Sequence, residues 1–478
     1  MFKSLRPSLA FSVLTLGLLL PVFGVSHITS AHQQKPAAPA TQERKGVQKK
    51  EAKEDEPVAI TERTNALKAM DEKPLSDDDF GNFRFPYINN NGEIAFVGLH
   101  SNKADKRGYS QEFYVRKPDG SWRIIREGDK VENYPEALRE YSISNFNENG
   151  DLTVVASYAD DAATPSAADP HDPASHTVFI RKQALFIKDA KGMRSLVKLG
   201  EEVPNMPSIF SGVSNASTNT KGTTAFIGTY SDPDGRGLFI VENGKARIVA
   251  RSGQRIAPGE NYSFSEHYFP SSINERDELA FLVRIGDKNA LYIARPAGLE
   301  MIAFTGKPTP IKDANYLGFG NRAPSINDKG EVAFSAFFDG PDAGRGLFFR
   351  ANGETKLIAR SGQALEGTNY NFTDFNAPII NNRGDIAFIG NFGGRSRGIF
   401  LKTSRGIEKV ALVDEPVPGM SKDEVFNNFT QPAINDKGEI VFYAQWKNLK
   451  AGINVGIFHR DEKGNLKLLV KRGDKLPK

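Results

Sequence analysis

Cysteine is absent from all 478 residues. That excludes disulfides, thiolate metal sites and a lipid anchor on cysteine, so the folded chain must be held by packing and hydrogen bonds. An excess of charge of one sign is also lacking. The chain has 62 Lys and Arg against 58 Asp and Glu, a balance that gives nucleic acid or an anionic membrane no reason to bind. After Val25 no apolar run is long enough to span a bilayer. Several enzyme signatures are missing as well, with no GxSxG, no HExxH and no phosphate-binding loop. No cofactor is expected.

At the N-terminus, Lys3 and Arg6 precede an apolar run from Leu9 to Val25, and small residues then lead to Ala31. This order predicts a cleavable secretory signal over 1–31 and an exported protein, periplasmic or extracellular. The alternative is an uncleaved anchor, but Ser12, Thr15, Gly17 and Pro21 interrupt a run already short for a spanning helix. Residues 32–80 form a second region. Up to residue 57 they carry mixed charge and almost no apolar side chains, and so predict a disordered tether, with one short helix available between 58 and 80. The rest, 81–478, is expected to fold.

Within that region, "INDKGEVAFSAF" (326–337) returns as "INNRGDIAFIGNF" (380–392) and as "INDKGEIVFYAQW" (434–446). Aligning on the Asn gives seven anchors, Asn89, Asn147, Asn219, Asn274, Asn327, Asn381 and Asn435, spaced by 58, 72, 55, 53, 54 and 54 residues. Each unit holds four strand-like pieces, as in "FNAPIIN", "DIAFIGNF", "RGIFLK" and "IEKVALV" of the sixth. Four short strands in a unit of about fifty residues predict a propeller blade. The fold class expected is therefore all-β, a seven-bladed β-propeller of four-stranded antiparallel blades over 81–478. A parallel β-helix competes poorly, because its coils are shorter and lack a hairpin in every unit. An eight-bladed ring is the nearer alternative.

Local chemistry agrees. In N-x-x-G the Asn can close an Asx turn and the Gly can take the left-handed position of a hairpin. Pro86, Pro270, Pro324, Pro378 and Pro432 stand just before the Asn, where a central strand would lose a ladder donor, so the first strand of each unit must be an edge lining the axis. The recurrent Ala-Phe after the turn supplies one Phe per blade to pack against the next. Closure is expected from packing of the first blade on the last, or from a strand contributed by 58–80.

These motifs resemble those of bacterial exported proteins with tandem NxxGxxAF repeats, whose units also carry a GIF strand and a GDxxPG turn. Here the counterparts are "GLFI" (237–240), "GLFF" (346–349), "GIFL" (398–401), "GIFH" (456–459), "DEPVPG" and "RGDKLP". Departures are Asp277 at the Gly position, Val154 for the Phe of the second unit and Val441 for the Ala of the seventh. The resemblance implies a propeller-like exported protein and transfers no catalytic residues.

Chemistry is expected on the face that carries the long loops. Arg236, Arg345 and Arg397 recur just before the third strand, and Arg251 and Arg360 open two "RSGQ" turns. Together they offer a cationic rim for a carboxylate or sulfate; alternatively each serves its own blade, with Asp234 or Asp342 as partner. Asp169, His171, Asp172 and His176 cluster in the long second unit, the one weak candidate for a divalent cation. "NENGD" (147–151) looks oxygen-rich enough for calcium, but Lys329, Arg383 or Lys437 occupies that turn elsewhere, so it reads as a hairpin device. "KRGDK" (471–475) likewise reads as a turn. His100, His267 and His459 are scattered. The function expected is a non-catalytic binding or interaction module for an anionic glycan or an extracytoplasmic protein. The alternative is a carbohydrate-active hydrolase or lyase using acids and arginines of the same face.

Overall fold

Four antiparallel strands recur seven times along the chain, hydrogen-bonded from an inner to an outer strand in sequence order. The computed structural model describes residues 76–477 except 77, 85, 103–108, 127–139, 160–180, 232–233, 258–259, 264–269, 321, 366–367, 394–395 and 449–451. The expected signal, and all but the last few residues of the expected tether, lie outside these. Among the described residues there is no helix, and the seven sheets are the blades of a β-propeller.

The sixth blade shows the plan. Its second, third and outer strands are Ile386–Asn391, Arg397–Thr403 and Gly406–Leu412. The inner strand comes in two pieces, Asp374–Phe375 and Ile379–Ile380, both paired with the second strand. Pro378 stands between them. The same interruption occurs at Pro86, Pro324 and Pro432, whereas the second and third blades lack the proline and keep unbroken inner strands, Glu140–Phe146 and Ile209–Thr218. A residue without an N–H breaks the ladder locally, and an inner edge tolerates the break.

The blades pack large against small. Phe226, Phe281, Phe334 and Phe388 of the Ala-Phe pairs are at most 2% exposed. Each stacks on the aromatic residue opposite it on the third strand, as Phe388 does on Phe400 with centroids 5.5 Å apart. The pair packs against the preceding blade, not the following one. Phe388 and Phe400 share a core with Ala333, Leu347 and Ala359 of the fifth blade, and Phe334 and Phe348 share one with Ala280, Leu291 and Ala303 of the fourth. Strand alternation explains the direction, since Ala and Phe point to opposite sheet faces and each blade's small face receives the next blade's rings. Burying such a ring stabilises by roughly 1.5–3 kcal/mol.

A second joint links consecutive blades. After the outer strand a residue of positive φ turns the chain, and its N–H reaches a buried aromatic residue on the next inner strand or just ahead of it. Gly306 donates to the Tyr316 carbonyl at 2.7 Å, Gly362 to Phe372 at 2.8 Å and Asp414 to Phe426 at 2.8 Å. Ring closure reuses this joint. Gly473 donates to the Phe80 carbonyl at 2.8 Å, Phe80 to Asp474 at 2.9 Å and Leu476 to Asp78 at 2.9 Å. Behind them, Phe80, Phe96 and Tyr114 of the first blade and Val441, Ile457 and Val470 of the last share one apolar core. Closure thus rests on packing of the first blade on the last, one of the two routes the sequence allows, aided by the backbone bonds of Asp78 and Phe80 and a bridge from Asp79 to Lys475; residues 58–75 lie outside the described residues.

Candidate functional site

The seven anchor asparagines form a closed ring. Each donates from Nδ2 to the backbone carbonyl of the next anchor, from Asn89 to Asn147 at 3.4 Å round to Asn435 back to Asn89 at 3.0 Å. All seven are buried. Within its own turn, the side-chain oxygen of Asn381 accepts from the N–H groups of Arg383 at 3.0 Å and Asp385 at 2.9 Å. Its amide also donates to Asp385 Oδ2 at 3.4 Å. The amide is therefore used fully, as buried polar groups require. The Asx turn was legible in the sequence; the bond to the neighbouring blade was not.

The third blade departs from this scheme. Thr223 stands where the other blades place Asp or Glu, and Asn219 Nδ2 instead finds Asp277 Oδ1 of the fourth blade at 2.8 Å.

The residues after the anchors build a second, open run of hydrogen bonds at the same end, beginning where Glu275 accepts the Thr220 N–H at 2.9 Å. Asp328 accepts the Glu275 N–H at 2.8 Å, Asn382 that of Asp328 at 2.7 Å, Asp436 that of Asn382 at 2.7 Å and Asn90 that of Asp436 at 2.6 Å. Glu148 accepts the N–H of Asn90. Four carboxylates, Glu148, Glu275, Asp328 and Asp436, thereby approach one another. Burial, opposed by the Asn90 hydrogen bond and reinforced by the charges of Asp436, Asp328 and Glu275, pushes Glu148 up to about 7. The sequence shows this column of acceptors but not its convergence.

The arginines of the expected rim lie at the other end of the strands, where the long loops are. Arg345 pairs with Asp374 of the sixth blade, which also receives a bidentate pair from Arg322 at 2.7 and 2.6 Å. The Arg345 guanidinium lies 4.7 Å from the Phe337 ring centroid. Arg360 pairs with Asp342 of its own blade at 3.3 Å. Among the described residues no carboxylate lies within ion-pair distance of Arg397. Arg251 bonds Tyr230, and the Arg236 carbonyl accepts from Ser252 at 2.8 Å. Arg345, Arg360 and Arg397 thus occupy adjacent blades, while Arg236 and Arg251 are on the third, beyond the fourth.

Two clefts open at the short-turn end between blades. The larger, about 480 Å³, separates the fifth and sixth blades and is lined by Glu331, Phe349, Arg383, Lys402, Ser404 and Arg405 among others. The smaller, about 230 Å³, separates the fourth and fifth. There Arg276, Glu278, Arg295, Glu300 and Arg350 form a continuous chain of ion pairs. Against the opposing effect of its burial, Glu278 is held below the usual carboxylate value by the Asn274 amide and by the Arg276 and Arg295 guanidinium groups.

Two histidines face acids. His459 Nε2 lies 3.5 Å from Glu439, with burial lowering its pKa, and His100 Nε2 lies 4.0 Å from Glu112. Glu112 also accepts from the Tyr114 hydroxyl at 2.7 Å, and burial pushes that phenol up. His267 and the candidate ligands Asp169, His171, Asp172 and His176 lie outside the described residues. Asp474 of "KRGDK" caps its own turn, accepting the Lys471 N–H at 2.9 Å.

Residues 172–477 match a family of unknown function, DUF7453. The chain belongs to this family. No curated protein matches its sequence. Among solved structures it is similar to a puromycin-hydrolyzing peptidase of Mycobacterium tuberculosis, with 12% identity and a TM-score of 0.47 over 85% of this chain and 56% of that one. It is also similar to the uncomplexed acylaminoacyl peptidase of Pyrococcus horikoshii, with 9% identity and a TM-score of 0.44 over 83% and 54%. A mutant Aleuria aurantia lectin in complex with α-methyl-L-fucoside matches at 10% identity and a TM-score of 0.30, over 71% of this chain and 97% of the lectin. The chain spans just over half the length of either peptidase. At these scores the likenesses carry no argument about activity.

Proposed function

We propose that this DUF7453 protein is an exported, non-catalytic binding module whose long-loop face takes an acidic glycan. One observation carries the reading: at the junction of the fifth and sixth blades two guanidinium groups, Arg322 and Arg345, converge on the single carboxylate of Asp374. The junction therefore holds one positive charge beyond its internal partner, and Arg397 of the sixth blade adds another. Planar, half-exposed guanidinium groups of this kind suit bidentate recognition of carboxylate or sulfate. The residues that dominate the sequence, by contrast, are engaged in turns and blade joints.

The test is retention of the full chain on a polyuronate or sulfated-glycan matrix across a salt series. Retention that falls steeply with salt, and falls further in Arg345→Ala/Arg397→Ala, supports the reading. Equal retention of wild type and variant overturns it, and capture of a protein in place of the glycan would reassign the face.

A further inference from the structure

The repeat supplies internal controls for the larger cleft. A base near the end of the third strand faces the preceding blade, and at two junctions that blade offers an acid on its outer strand. Arg350 meets Glu300 at 3.2 Å between the fourth and fifth blades, and Arg460 meets Glu408 at 2.7 Å between the sixth and seventh. Glu300 is cross-strand from Ile293, and Glu408 from Leu401.

In the fifth blade the same place, cross-strand from Phe349, holds Lys356. The acid is replaced by a base. Lys356 turns to Glu354 at 3.3 Å, and the sixth blade's own base, Lys402, lies 5.4 Å over the Phe349 ring. Among the described residues neither Lys402 nor Arg405 has a carboxylate within ion-pair distance. The cleft's own acids are committed elsewhere, Asp385 to Arg383 at 2.7 Å and Glu331 Oε2 to Asn327 at 2.6 Å. The first, second, third and seventh blades also carry a base at this place, but Arg123 is bonded to the Gly150 carbonyl, Arg194 is paired with Asp189 and the Lys467 charge acts on Asp461, while at Arg247 the facing base of the fourth blade, Arg295, is already paired with Glu278 and Glu300.

We infer that the cleft between the fifth and sixth blades is a site for a small hydroxylated acid, a uronate sugar, whose carboxylate takes the place that Glu300 and Glu408 fill at the flanking junctions. Lys402 and Arg405 hold the carboxylate as a charge-assisted pair. The Phe349 ring covers the apolar side of the sugar, and Ser404 with the second oxygen of Glu331 meets its hydroxyls, the usual pairing of an apolar wall with a few placed polar groups. A cleft of about 480 Å³ lies in the range of small-ligand sites. This site lies at the opposite end of the strands from Arg345 and Arg397 and stands independently of them.

The experiment is calorimetric titration of the full chain with glucuronate, glucose and sodium sulfate. Glucuronate should bind, glucose should bind about tenfold more weakly or not at all, and sulfate should compete. Lys356→Glu restores the internal acid at a position 64% exposed, so the variant should fold, keep its melting temperature or gain, and lose glucuronate affinity about tenfold. Arg345→Ala/Arg397→Ala should bind glucuronate as wild type does, which separates this site from the long-loop face. Unchanged affinity in Lys356→Glu, or equal binding of glucose, overturns the inference. Sulfate binding without glucuronate binding overturns the sugar and leaves a bare anion site.

Discussion

Asn219 of the third blade donates from Nδ2 to Asp277 of the fourth at 2.8 Å, across a blade boundary. Two departures from the repeat explain each other here. Thr223 removes the acceptor that the blade's own turn should supply, and Asp277 returns it from the position where other turns keep glycine, at a φ of 60°.

The pair should show opposite single and double effects. Asp277→Gly relieves a backbone that glycine prefers but leaves the buried Asn219 amide one acceptor short, a loss of about 1–2 kcal/mol. Thr223→Asp alone puts two carboxylates on one amide and should not stabilise. The double variant rebuilds the turn of the sixth blade and should recover most of the loss. Chemical denaturation of the four proteins checks this; additive effects would show that the two positions are independent.

Glu148 should make stability fall with rising pH. Folding raises its pKa from 4.5 to about 7, so the folded state holds that proton more tightly than the unfolded chain does. Its contribution is complete below about 4.5 and lost as the pH rises through about 7. Glu148→Gln keeps an acceptor for the Asn90 N–H and removes the titration. The variant should match wild type near pH 4 and exceed it at pH 8 by on the order of 1–2 kcal/mol, after discounting for partial exposure. Parallel stability curves across this range would contradict the crowding of carboxylates.

Turn glycines should differ in cost although their backbones agree. Gly222 and Gly330 have φ of 86° and 78°. A methyl group at Gly222 meets nothing within 4 Å, whereas at Gly330 it runs into the Arg276 guanidinium, which is held by Glu278 at 2.7 Å. Alanine at Gly222 should cost about 1 kcal/mol from backbone strain, and at Gly330 about 1 kcal/mol more because that ion pair must yield. Thermal unfolding of the two variants decides it, and equal costs would mean that Arg276 moves aside freely.

The blades were legible because strand, turn and proline chemistry is local. Seven asparagines, a glycine three residues after six of them, and prolines that split an inner strand can all be read along the chain. What passes between blades was less visible. The amide of Asn381 reaching Asn435, the Arg322 and Arg345 pair on Asp374, and Lys356 standing where Glu408 stands one blade later all join residues roughly thirty to fifty positions apart or compare equivalent sites. Repetition in the sequence marks such positions without saying which neighbour each one faces. The Phe rings packing against the preceding blade are the same case, since alternation gives two faces but not their partners.

The recurrent polar residues build the ring, and our proposal assigns recognition of an extended acidic glycan, as distinct from a small uronate, to the arginines of the long-loop face. Its most direct measurement pairs melting temperature with affinity for a sulfated or uronate-rich glycan in two variants of the full chain. Asn381→Ala strips the acceptor from the Arg383 and Asp385 N–H groups and the donor from the Asn435 carbonyl, and should cost about 2–4 kcal/mol while the folded fraction binds as wild type. Arg345→Ala/Arg397→Ala leaves Asp374 in its bidentate pair with Arg322, so it should melt within a few degrees of wild type and lose about tenfold in affinity at low salt. A double arginine variant that binds unchanged, or one that unfolds as readily as the asparagine variant, would contradict it.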